Sequence, residues 1–212
     1  GSDVEEGLET QLRQAILTLR VDRQTLNAKR KLEELLPKLP TSEMKIRARI
    51  AMAVAHLQAD EPIDAQNDLL AIVREPDAGP IAYFNLACAQ AASGLRNEAI
   101  QTLKKVESHA TLELPSRLLR ALLFLKDGSA KQAALALDVS HPESIMAWRQ
   151  EFFALGAVAD FLDGNKRRAL TRLRIAIDTD PMQSELFFFD PLVYLESIRW
   201  KNWLSYVDDF SD

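Results

Sequence analysis

Apolar and polar residues are arranged along this chain in helical patterns, and no stretch alternates them long enough to predict a half-buried strand. The pattern predicts helices at roughly 4–20, 23–38, 42–58, 62–74, 80–92, 95–107, 114–126, 129–138, 143–162, 165–178 and 191–206. Ala and Leu dominate the apolar set, which favours helix because they lose little conformational freedom there. We therefore expect an all-α fold of about 10–11 helices.

The chain also repeats itself. Four segments carry an Ala followed twelve residues later by a second Ala, at Ala53 and Ala65, Ala87 and Ala99, Ala121 and Ala133, and Ala157 and Ala169. Successive copies are 34, 34 and 36 residues apart. Four residues after the second Ala comes Leu69, Leu103, Leu137 or Leu173. Paired helices approach closely only where both present small side chains, so the alanines are predicted to mark helix crossings.

A tight turn is predicted inside each copy. Seven residues after the first Ala, three copies have Gly94, Gly128 and Gly164, and the first copy has Asp60. Gly ends a helix at low cost because it adopts the left-handed conformation without a steric penalty. Each copy is therefore predicted to be two helices joined by a short turn.

This pattern resembles the tetratricopeptide repeat, whose period is about 34 residues. The best copies run from Tyr83 to Val106 and from Phe153 to Pro181, and the resemblance covers residues 46–183. It implies one domain, a right-handed α-solenoid of antiparallel helix pairs. Its parts are a degenerate N-terminal pair at 1–45, repeats at 46–79, 80–113, 114–147 and 150–183, and a C-terminal capping segment at 184–212.

Basic residues depart from the family pattern. Arginine occupies positions that the family usually keeps apolar at Arg49, Arg117 and Arg120, so the third repeat diverges most. The densest basic run lies at 166–174. Arg168 and Arg172 in this run are expected to form a solvated outer stripe, because basic residues at helical spacing usually serve solubility.

The resemblance also predicts a binding surface, because the first helix of each pair in this family lines a concave face where peptides dock. The predicted contact residues are Ile50, Val54, Phe84, Asn85, Cys88, Leu118, Leu122 and Phe161, and Arg47 and Ile81 also face inward. Chaperone-binding members hold a terminal carboxylate at set groove positions, of which only Asn85 matches here. An apolar or amphipathic segment is the expected ligand. The alternative is that the chain's own ends fill the groove, or that tight packing buries these residues.

The C-terminal segment does not look like another repeat. Residues 186–207 are rich in aromatic and apolar side chains, including Phe188, Trp200 and Trp203. We expect a capping helix that covers the last repeat. The alternative is a docking or dimerisation surface, since exposed aromatic patches often mark such sites.

Residues that would carry catalysis are not found at suitable spacing. The three His have no i, i+4 partner and Cys88 has no nearby base, so no metal site, cofactor or nucleophile is predicted.

The formal net charge of −5 argues against a nucleic-acid partner. No apolar run is long enough to insert in a membrane. The single cysteine fits a reducing compartment, so we expect a soluble protein, cytoplasmic rather than periplasmic. Gly1-Ser2 looks like a scar of tag removal, so the alternative is the soluble part of an anchored protein.

The sequence thus predicts a non-catalytic scaffold or adaptor that binds a segment of another protein. Two alternatives remain open. One is a bacterial secretion or assembly chaperone for a hydrophobic client. The other is a structural module that self-assembles, for example as a homodimer, through the C-terminal aromatics.

Overall fold

The structure, a computed structural model, describes residues 1–20, 24–110, 112–138 and 149–179. Within these ranges the chain is helical and contains no strand. The helices are α1 (Ser2–Arg20), α2 (Thr25–Leu35), a short 3-10 helix (Leu36–Lys38), α3 (Ser42–Gln58), α4 (Pro62–Ile72), α5 (Gly79–Ala92), α6 (Arg96–Leu103), α7 (Glu113–Lys126), α8 (Ala130–Ala136), α9 (Arg149–Leu162) and α10 (Lys166–Thr179). The all-α helical-repeat prediction is confirmed. The helix predicted at 191–206 lies outside the described residues.

The chain divides into two compact units, one holding Gly1–Leu112 and the other beginning at Glu113. In the first unit, α1 packs on α2, α3 on α4, and α5 on α6, and α3 also contacts α1 and α5. Between successive pairs, α2 packs on α3 and α4 on α5, so each second helix lies against the first helix of the next pair. One buried cluster joins α1, α2 and α3, with Leu12, Ile16, Leu19, Leu32, Met44, Ala48 and Val54 among its members.

In the second unit, α7 packs on α8 and α9 on α10, while α9 also contacts α7 and α8. Buried residues of α7 and α9 such as Leu119, Leu122, Leu155 and Val158 form its core. All eight paired alanines of the repeat are buried, as the crossings require. Leu69, Leu103 and Leu137 are fully buried beside them.

The four turns predicted from the repeat share one backbone conformation. Gly94, Gly128 and Gly164 have φ angles of 81°, 78° and 86°, and Asp60 has 62°. In each turn the next residue donates its backbone N–H to the carbonyl five residues earlier, as in Leu95 N to Gln90 O at 2.9 Å. This is the Schellman arrangement, which satisfies carbonyls at the end of the first helix.

The starts of α3 and α4 also follow from local residue types. Thr41 precedes α3 and its Oγ1 accepts a hydrogen bond from the Met44 N–H at 3.2 Å, which satisfies a first-turn donor. Pro62 begins α4, where its missing N–H removes no helical hydrogen bond.

The expected solvated stripe at 166–174 is wrong at Arg172. Its residue surface is only 7% exposed, and its Nε lies 3.3 Å from Oδ2 of Asp160, which is 2% exposed. Nη2 of Arg172 donates to the Leu137 carbonyl at 3.3 Å, so the side chain joins α10 to α9 and the end of α8. A buried carboxylate such as Asp160 is destabilising without a positive partner, and Arg172 supplies that charge from within the protein.

Two of the arginines that occupy positions expected to be apolar, Arg49 and Arg117, have polar partners. Nη1 of Arg49 lies 3.0 Å from Oε1 of Glu75. Nη1 of Arg117 donates to the Ala136 carbonyl at 3.1 Å, and its Nη2 lies 3.4 Å from Glu113. Their aliphatic stems can therefore pack while their charges stay paired.

Candidate functional site

The predicted contact residues fall in both units. The first unit holds Ile50, Val54, Phe84, Asn85 and Cys88, and the second holds Leu118, Leu122 and Phe161. Seven of these eight are buried, and Phe161 is 45% exposed. Burial agrees with the alternative stated above, that tight packing covers these residues, because a fully packed side chain offers little surface to a partner. Their role in binding stays a prediction.

Asn85 is the polar member of the predicted contact residues. It is fully buried, and its Nδ2 donates to the Ile81 carbonyl at 3.0 Å within α5. Its Oδ1 has no hydrogen-bond partner among the residues that the structure describes. The acceptor of this buried amide is therefore uncommitted within the described residues.

Cys88 is the free cysteine of the chain and is fully buried. Burial raises the pKa of the Cys88 thiol, because the thiolate would lose its solvation. The thiol is therefore protonated and unreactive at neutral pH. The second predicted interface, at Phe188, Trp200 and Trp203, lies outside the described residues and stays a prediction.

The first unit has a surface cavity of about 180 Å³ beside the first helices of its three pairs. Four isoleucines line it: Ile16 of α1, Ile46 and Ile50 of α3, and Ile81 of α5. Glu43, Arg47, Asp77, Ala78, Gly79 and Pro80 complete the lining. We call this the isoleucine pocket.

The connection between α4 and α5 shapes one wall of the isoleucine pocket. Gly79 has a φ of 73°, a conformation that other residues rarely adopt, and Pro80 follows it at the start of α5. This Gly-Pro pair turns the chain into α5 and places Ala78 and Gly79 in the cavity lining.

Charges of both signs surround the isoleucine pocket. Nη1 of Arg47 lies 3.8 Å from Oε1 of Glu9, and the same carboxylate lies 3.7 Å from Nη2 of Arg13. Glu43 and Asp77 are exposed, and within the described part of the chain neither has a hydrogen bond or ion pair. Among the described residues, the Glu43 and Asp77 carboxylates at the pocket therefore have no ion-pair partner, whereas Arg47 is paired with Glu9.

Two further cavities of about 230 Å³ each lie in the same unit. One is lined mainly by polar side chains of α1 and α2, including Gln11, Gln14 and Lys31. The other lies between α3 and α4, beside the paired Arg49. Neither cavity is lined by apolar residues from the first helices of all three pairs.

The chain is similar in structure to MamA protein. The likeness to the crystal structure of MamA has a TM-score of 0.58 and covers 84% of this chain and 94% of that one, at 16% sequence identity. Similarity at this level shows the fold alone. No protein-family model matches the sequence, and no curated protein does. Among the described helices, none combines the length and apolar character needed to cross a membrane.

Sequence reasoning found only part of the isoleucine pocket. Ile50 was a predicted contact, and Arg47 and Ile81 were placed on the inward face; the structure brings all three to the cavity. Ile16, Ile46, Glu43 and the 77–80 segment were missed. The Gly-Pro step at Gly79 was the available signal, because it marks a turn whose backbone is open to a neighbour.

The structure also brings together residues that sequence spacing left apart. His56 Nδ1 lies 2.7 Å from Glu61 Oε2, and its Nε2 lies 3.5 Å from Asp68 Oδ2. Ligand atoms of His56, Glu61 and Asp64 lie within 4.8 Å of one another, close enough to share a cation. A hydrogen bond across the α3–α4 turn accounts for the shortest contact. The acids also sit favourably at the start of α4, where the helix dipole attracts negative charge.

Proposed function

We propose that this chain is a protein-interaction scaffold of the tetratricopeptide type, whose first unit binds a segment of a partner protein at the isoleucine pocket. The observation that carries this proposal is the convergence of four isoleucines, from the first helices of three pairs, on one surface cavity. The helical-repeat fold is compatible with this role, since stacked helix pairs offer extended binding surfaces.

The size of the cavity favours a protein partner over a small-molecule substrate. Its volume of about 180 Å³ is below the roughly 300–1,000 Å³ typical of ligand sites. It suits one large side chain inserted from a peptide. Apolar anchors of this kind dominate peptide binding when they fill a pre-formed pocket.

The walls are held by the fold, so the pocket needs little reorganisation to accept a side chain. Ile16, Ile46 and Ile50 are each at most 4% exposed, which fixes their rotamers against the core. Pre-organisation of this kind lowers the entropic cost of binding. Ile81 is partly exposed and is the wall residue most accessible to a partner.

A site-specific photo-cross-linker tests the proposal. The residue p-benzoylphenylalanine is placed at Ile81 or at Gln101, an exposed residue of α6, and lysate of the source organism is irradiated with each protein. We expect a discrete adduct from position 81 only, and its loss when the same protein carries Ile46→Asp. Circular dichroism melting of each variant reports whether it is folded. Equal labelling from both positions, or none from position 81, would refute binding at this pocket.

A further inference from the structure

The uncommitted charges at the isoleucine pocket have one sign. Glu43 lies in the first turn of α3 and Asp77 lies two residues before α5, and both are exposed. In the described part of the chain neither carboxylate is paired, whereas Arg47 is held by Glu9 at 3.8 Å. A partner carboxylate would have to displace Glu9 and approach two like charges. A partner cation would meet two acceptors that are already exposed.

The N-terminus of α5 has the opposite effect, because it favours an anion. A helix N-terminus is equivalent to roughly half a positive charge, and no side chain caps this one. Asp77 is already close to this helix end in sequence and offsets it. Glu9, Glu43 and Asp77 against Arg13 and Arg47 leave one net negative side-chain charge, which exceeds this half positive charge, so the local balance favours a cation.

The shape of the isoleucine pocket selects among cations. Lys and Arg have an aliphatic stem that packs on apolar surface and a charged head that stays in water. The partly exposed Ile81 offers such a surface beside the buried Ile46 and Ile50, and Glu43 and Asp77 also line the pocket. We infer that the pocket binds the basic side chain of an amphipathic segment of the partner, with the stem against the isoleucines and the head at the two carboxylates.

This inference rests on the proposed function and adds the chemistry of the partner. It is tested with fluorescein-labelled helical peptides that have a leucine stripe and a glutamine polar face. One position in the middle of the stripe is Lys, norleucine or Glu. Norleucine keeps the aliphatic stem without the charge, so the comparison isolates the head group.

We expect the Lys peptide to bind about fivefold tighter than the norleucine peptide in low-salt fluorescence anisotropy, and the Glu peptide to bind weakest. Added salt should shrink the difference, because exposed charges are screened. The double variant Glu43→Gln/Asp77→Asn should bind the Lys and norleucine peptides equally.

Because the whole chain is acidic, the control must remove the same net charge elsewhere. Glu33→Gln/Glu98→Gln does so at two exposed positions outside the isoleucine pocket, and it should keep the full Lys preference. A Lys preference that survives in Glu43→Gln/Asp77→Asn, or that disappears equally in the control, would overturn the inference.

The outcomes separate this inference from the proposed function. If the Glu or norleucine peptide binds at least as tightly as the Lys peptide, the pocket binds peptides but not basic ones. If no peptide binds while the cross-link at Ile81 forms, the interaction role stands and the basic-ligand inference falls. If neither peptides nor a cross-link are found, both fall.

Discussion

Replacing Gly156 by Ala should destabilise the protein, although Ala is the better helix former. Gly156 lies in the middle of α9, and the side chain of Arg172 crosses it. A Cβ at this position would overlap Nη1 of Arg172 and lie 2.9 Å from its Cδ and 3.0 Å from its Cζ. The guanidinium would have to move away from α9.

Two opposing effects set the change in the free energy of unfolding caused by Gly156→Ala. The gain in helix propensity from Gly to Ala is about 1 kcal/mol. Moving Arg172 removes the nearest cation of Asp160, whose side chain is 3% exposed, and leaves Arg168, with its Nε 3.5 Å from Oδ2 of Asp160, as the remaining one. Breaking a buried pair costs about 3–5 kcal/mol, and the remaining Arg168 places this case at the lower end. We therefore expect Gly156→Ala to lower the free energy of unfolding by about 2 kcal/mol.

Urea unfolding followed by far-UV circular dichroism measures this difference. Gly7→Ala is the matched control, because Gly7 lies within α1 and a Cβ there meets nothing within 4 Å. It should stabilise by up to about 1 kcal/mol. In an Asp160→Ala/Arg172→Ala background, Gly156→Ala should become stabilising as well. If Gly156→Ala stabilises the wild type as Gly7→Ala does, Arg172 does not occupy the space beside Gly156.

Four further outcomes are expected. Gly94→Ala should destabilise by about 1–2 kcal/mol in urea unfolding, since its φ of 81° is strained for Ala while a Cβ meets nothing within 4 Å. Burial raises the pKa of Asp160, against the attraction of Arg172 and Arg168, so the folded state binds this proton more tightly than the unfolded state. The unfolding free energy of the wild type relative to Asp160→Asn should fall as pH rises above about 4; a flat or rising difference would contradict this. Cys88 should react with iodoacetamide at least about 100-fold more slowly in the native protein than in urea, judged by mass spectrometry. Phe84→Ala should cost about 3–5 kcal/mol, because the ring is fully buried, and a loss below about 1 kcal/mol would show that the ring is not packed.

The helices and turns of this chain follow from local residue types. The paired alanines and the Gly at the turn recur in phase, and each acts through its own size or backbone freedom. Asp60 illustrates the strength of the pattern, because it adopts a φ of 62° where the other copies have Gly. Asp tolerates this conformation better than bulky residues do, so the repeat remains recognisable.

The sequence could not assign individual side chains to surface or core. Val54, Phe84 and Leu122 were predicted to face a partner, and the structure buries all three. A groove and a packed helix interface both require apolar residues at helical spacing, so the pattern is the same in either case. Only the positions of neighbouring helices decide how much of each side chain remains accessible.

Charged residues depended on tertiary structure most of all. Arg172 belongs to a basic run that is typical of a solvated face, yet Asp160 on another helix draws it into the interior. Glu43 and Asp77 line the same pocket because α3 packs against α5. The sequence by itself determined the helices, their period and their turns, since these depend on neighbours a few residues away. Tertiary structure decided which charges are paired and where a cavity opens, because both depend on residues brought together from different helix pairs.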